Sequence, residues 1–135
     1  MLEVLEAARP APGRLYHYTC RDMARLIGTR GHLKPRPQPV LGGIALVWLT
    51  TDVRPSRASL GLERHTLPCD RMAVRYVDLA AADYRAVAWW PDVRRHFHPA
   101  AVDELEHGAP GRRPDLWWIT AQPVAVHRDR RWHGH

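Results

Sequence analysis

Lysine is nearly missing from this chain: Lys34 stands alone among 20 basic residues, the rest being arginine. An arginine bias of that kind, beside abundant Ala, Pro and Trp, is what a GC-rich genome imposes. The formal charge of +6 therefore suggests a polyanion or an anionic ligand but does not by itself make the chain a nucleic-acid binder. Cysteine is scarce as well. Cys20 and Cys69 form no short motif and no disulfide framework, so they are expected to be unpaired thiols in a reducing compartment. No run of about 18 apolar residues is present, which excludes a hydrophobic membrane span. The start, Met1-Leu2-Glu3-Val4, lacks the basic opening of a secretory signal. Together these predict a cytoplasmic protein that does not enter a membrane.

Several chemical signatures are also missing. There is no Gly-x-x-x-x-Gly-Lys loop, no Gly-x-Gly-x-x-Gly turn and no Gly-x-Ser-x-Gly elbow, which removes the usual nucleotide and hydrolase fingerprints. Nine histidines invite a metal reading, yet neither Cys-x-x-Cys nor His-Glu-x-x-His occurs, so no metal site is assigned. A Cys20 nucleophile is conceivable beside a helix start, although a small cysteine at such a junction is commonly just buried.

What is present reads as one globular domain of 135 residues. Residues 1–14 form a leader broken by Pro10 and Pro12, residues 15–127 the domain, and residues 128–135 a basic tail. Leu15 to Thr19 favours a strand, and Thr19-x-x-Asp22 has the pattern of a helix N-cap before Met23, Leu26 and Ile27. That helix is predicted over about residues 21–29, ending near Gly31, with an extended loop through Leu33 to Pro37. Ile44 to Thr50 is a nearly continuous apolar run after Gly42-Gly43, the pattern of a strand buried on both faces. Met72 to Asp78 alternates as a strand. Ala86 to Trp90 fits a strand or a packed turn. Pro99 to His107, with proline in its first turn and Gly108 beyond, is the clearest later helix, and its acids are expected to face mostly outward. Asp115 to Thr120 is predicted as a strand, with Val124 to Val126 continuing to a sheet edge. In Trp89-Trp90 and Trp117-Trp118, alternation sends one indole of each pair away from the other, one to the core and one to a cleft wall.

The candidate site is His17. It stands where a strand meets a helix start, beside free backbone N–H groups and the Thr19 hydroxyl, a setting that suits a phosphate or a carboxamide. The plain alternative is a rim histidine bonded to backbone.

Tyr16-His17-Tyr18-Thr19, the following helix, Gly31-x-Leu33-x-Pro35 and the strand ending Val47-Trp48-Leu49-Thr50-Thr51 together resemble the ADP-ribosyltransferase superfamily, which includes DNA- and RNA-modifying toxins and the related tRNA 2′-phosphotransferases. The resemblance implies an α+β fold with a bent, split, mixed or antiparallel β-sheet and two main helices. It implies NAD⁺ as the substrate and ADP-ribosyl transfer to a macromolecular acceptor, protein or nucleic acid. His17 would contact the adenosine ribose, with Tyr18 and Thr19 beside it. Trp48 would wall the nicotinamide, and Thr50 and Thr51 would serve its amide. His17 and Trp48 are thus expected to line one cleft. The carboxylate that steadies the oxocarbenium-like state would be Asp115 at the start of the late strand, where the superfamily places a glutamate; the plain alternative is an aspartate capping a turn. The 2′-phosphotransferases rely on arginines instead, for which Arg71 and Arg75 are candidates. A non-catalytic nucleotide- or nucleic-acid-binding or interaction module on the same scaffold is the alternative function.

Overall fold

A computed structural model describes residues 13–56, 58–60, 72–78 and 87–128. Residues 1–12 of the leader, Cys69, Arg71 and all but the first residue of the tail lie outside them, and the expected thiol state of the two cysteines falls there too.

The fold is α+β with antiparallel strands throughout its described pairings. Strand β1 (Arg14–Cys20) leads directly into helix α1 (Arg21–Arg30). The strand runs one residue further than expected, so Cys20, not Thr19, flanks the helix. Gly31 closes α1 at φ 77°, donating to Ile27 at 2.8 Å, a left-handed stop that glycine takes without a Cβ clash. The stretch expected to be a loop then yields two short strands, β2 (His32–Leu33) and β3 (Arg36–Gln38). A turn with Gly42 at φ 74° and Gly43 at φ 86° folds β3 back onto β4 (Ile44–Thr50). Next come β5 (Met72–Asp78), β6 (Ala88–Trp89), α2 (Trp90–Val93), α3 (Pro99–His107), β7 (Trp117–Thr120), β8 (Val124–Ala125) and β9 (His127–Arg128). Ala88 to Trp90 is therefore both a short strand and the start of a helical turn. Val124 does not prolong β7; β8 leaves to pair with β2 in a separate sheet. Among the described residues, no helix is long and apolar enough to cross a membrane.

The main sheet has the order β6-β7-β4-β1-β5-β9, with β3 added to β4. As the apolar run predicts, β4 is buried on both sides. Val47 and Leu49 join Leu15, Trp118 and α1's Ile27 in one cluster, while Leu46 joins Trp90, Phe97, Trp117 and Ile119 in a second. The second cluster carries most of the aromatic mass: the Trp48 ring lies 5.2 Å from Trp90 and 5.7 Å from Trp117, and Trp90 lies 5.5 Å from Phe97, within the range where aromatic pairs attract beyond area burial.

Helix α3 closes that second cluster. His98 caps it, accepting from the Ala100 N–H at Nδ1. Not all of its acids face water. Glu106 is buried, receiving Trp90 Nε1–H at 2.8 Å on one oxygen and the Arg94 guanidinium at 2.8 Å on the other. The carboxylate stays inside because both oxygens are satisfied.

Candidate functional site

The site begins with a mismatch between two long strands. Both β1 and β4 run for seven residues, yet they pair at one position, Tyr16 with Thr50. Backbone direction shows where β4 goes otherwise. The Thr51 N–H donates to Leu116 O at 3.3 Å, so odd-numbered groups at this end of β4 face β7. A residue's N–H and C=O point the same way and alternate along a strand, so Leu46, Trp48 and Thr50 face the opposite edge.

That edge is shared three ways. Thr50 meets Tyr16 of β1. Leu46 meets Arg36 of β3: Pro37, opposite Ala45, has no N–H to give, so the bonded pairs of this ladder are Arg36 with Leu46 and Gln38 with Ile44. Between them, the Trp48 carbonyl is met by a side chain, His17 Nδ1 at 2.8 Å. His17 therefore sits in the opening of the sheet, between β1 and the β3–β4 hairpin.

The chemistry of His17 follows from that bond. A carbonyl only accepts, so Nδ1 carries the proton. Burial lowers the pKa of the half-buried ring; the bond to Trp48 works against this and the Arg36 charge adds to it, and the net result is a lowered value. The ring is neutral at pH 7, with Nε2 as a hydrogen-bond acceptor. Among the described residues, Nε2 has no partner.

The candidate residues divide by face. Directly paired residues share a face and neighbours along a strand alternate, so Tyr16, Tyr18, Trp48, Thr50 and Trp117 belong to one side and Leu15, His17, Thr19 and Leu49 to the other. The core clusters divide the same way. The expectation that His17 and Trp48 line one cleft is thus corrected. What Trp48 contributes at His17 is its carbonyl; its indole lies in the aromatic cluster on the far face. Tyr18 and Thr50 are spent on local structure, Tyr18 donating to Asp52 O at 2.6 Å and Thr50 Oγ accepting the Asp52 N–H at 3.0 Å. Thr51 gives its N–H to the carbonyl of Leu116, in the turn just before β7. Thr19 stays with His17 and is buried.

Asp115 does not open a strand. It lies in the 3-10 turn Pro114–Leu116, and β7 begins two residues later. Its exposed carboxylate is held by Arg113 at 3.0 and 3.1 Å, a two-point contact that keeps its pKa below the usual carboxylate range. Its carbonyl accepts from Trp89 Nε1 at 2.7 Å. Strand β4 lies between β7 and β1, so Asp115 is one strand removed from the opening at His17.

Two arginines stand near the opening: Arg36, which the sequence-based site leaves out, and Arg75, which it names only for the phosphotransferase comparison. Arg36 was read as loop; the alternation of Pro35 and Pro37 around it is the only sequence hint of an edge strand. Arg75 is in register with His17 on β5, which brings its backbone beside the site. Compared with known proteins, the chain matches no family model, no curated protein and no solved structure.

Proposed function

We propose that this chain binds a nucleotide at the opening between β1 and β4, on a scaffold of the ADP-ribosyltransferase type, with NAD⁺ as the ligand named by the motif resemblance. One observation carries the reading: His17 is fixed by the Trp48 carbonyl as a neutral imidazole, which leaves Nε2 as an acceptor without a partner among the described residues. A ribose hydroxyl is the natural donor to such an atom. Support also comes from Thr19, which shares the His17 face, and from the parting of β1 and β4, which agrees with the split sheet the resemblance implies.

ADP-ribosyl transfer to a protein or nucleic acid draws on the same site but needs a carboxylate at the nicotinamide ribose. Asp115 fills that role only if Arg113 releases it, and β4 separates it from His17. The pairing with Arg113 therefore favours the non-catalytic module as the second reading. Calorimetric titration with NAD⁺, followed by measurement of released nicotinamide, tests both. Heat of binding supports the nucleotide site, and nicotinamide release adds the transferase. Neither signal at millimolar NAD⁺ removes the NAD⁺ reading.

A further inference from the structure

We propose that β3 is a donor-free border that holds the opening at His17 open, so that no strand, whether β1 or the edge of a second copy of this chain, closes it. The inference concerns how the opening is kept and stands apart from the NAD⁺ reading.

Strand β3 acts first as a wedge. The pairing of Tyr16 with Thr50, carried on along β1, would set Cys20 opposite Leu46. That place belongs to Arg36, so β1 leaves β4 before reaching it, and His17 Nδ1 meets the Trp48 carbonyl where the two strands part. Both β1 and β3 run antiparallel to β4 and hence parallel to each other. They are natural partners for a parallel ladder, yet among the described residues β3 pairs with no strand but β4.

The sequence of β3 prevents that ladder. From residue 35 to 39 the chain reads Pro-Arg-Pro-Gln-Pro. Arg36 and Gln38, the two residues with an N–H, are the two whose backbone faces β4. The Pro37 backbone faces the other way, and the flanking positions of the same phase, Pro35 and Pro39, are prolines too. The outer border therefore offers carbonyls and no donor, and a strand laid on it forfeits every hydrogen bond that β3 would give. The phase is what matters: prolines at 36 and 38 would have broken the ladder to β4 instead. Lys34, the chain's one lysine, stands exposed at the head of this border, a second device that discourages strand addition. Pro37 and Pro39 are exposed as well, so the rest of the fold does not shield the border. An extended peptide seeks donors as well as acceptors along an edge, so the opening suits a compact ligand instead.

The double variant Pro35→Thr/Pro37→Thr restores two N–H groups to the border with a residue that favours strands. Amide hydrogen exchange by NMR and sedimentation velocity, both on the full chain, read the result. The amide introduced at position 37 should exchange about 10-fold or more slowly than an exposed amide, the effect of one net hydrogen bond. Protection in a particle of wild-type mass shows β1 closing on β3, and protection with a doubled mass shows a second copy added to the edge; either supports the inference. Unprotected amides at positions 35 and 37 overturn it, whatever the mass. The changes lie off the bonded positions of the β3–β4 ladder, so the fold is expected to survive. If the double variant fails to fold, Pro37→Thr alone is read in the same way.

Discussion

His17 Nδ1 lies 2.8 Å from the Trp48 carbonyl, and at that point a side chain supplies what strands supply to Leu46 and Thr50 on either side. The sheet is opened there without leaving the acceptor unmet. One residue thus serves both the fold and the candidate site, and the two roles separate experimentally.

The folded-state pKa of His17 is lowered from 6.5. The unfolded chain therefore takes up a proton at His17 as pH falls through about 6.5, while the folded chain still excludes it. More protons on the unfolded state means that stability rises with pH in this window. His17's share is fully present above 6.5 and is lost as pH falls toward the folded pKa, with a slope of up to about 1.4 kcal/mol per pH unit. Urea melts between pH 7.5 and 5 should show the wild type losing stability faster than His17→Gln; parallel profiles contradict the buried, neutral assignment.

Glu106 is predicted to matter to folding and not to ligand. Replacing it with alanine leaves the indole N–H of fully buried Trp90 without its acceptor, a loss of about 2–3 kcal/mol. Glu104 on the same helix is exposed, and Glu104→Ala should stay within about 0.5 kcal/mol. Equal effects in chemical denaturation would contradict the account of the α3 interface.

Gly108 is required by space. A Cβ there would stand 2.5 Å from the Glu104 carbonyl, which is backbone and cannot swing aside. Gly108→Ala is expected to cost about 1–3 kcal/mol, visible as a lower denaturation midpoint with an unchanged slope.

Asp115→Asn should move the melting temperature by no more than about 2–4 °C, since the exposed pair with Arg113 is worth little to stability. NAD⁺ affinity should be unchanged, because β4 stands between Asp115 and His17. If NAD⁺ is turned over with Asp115 as the carboxylate, the same change lowers the rate by about 10²-fold. A surviving rate that vanishes in Glu104→Gln or Glu106→Gln reassigns the carboxylate.

Where local chemistry decides the structure, the sequence was legible. Ile44–Thr50 and Met72–Asp78 are strands because of their patterning, and Pro99–His107 is a helix bounded by proline and glycine. Strands β2 and β3 were not legible, being two or three residues long, and although Val124 to Val126 reads as strand, the pairing of β8 with β2 joins segments distant in the chain. The faces of His17 and Trp48 were hidden for a related reason. Each strand's alternation is visible, but only the Tyr16–Thr50 register links the two phases, and a shift of one residue would have put both side chains on one side. Glu106 reads as a surface acid on its own helix; its burial depends on Trp90 and Arg94, which come from another element.

Nitrogen NMR of the imidazoles, with His17 assigned by comparison with His17→Gln, reaches the central claim most directly. The account predicts a neutral His17 at pH 7 with the proton on Nδ1 and a lone pair on Nε2, and a shift of the Nε2 resonance toward the hydrogen-bonded range when NAD⁺ is added. A proton on Nε2 in the free protein, or an Nε2 resonance that stays fixed while NAD⁺ binds, would contradict it.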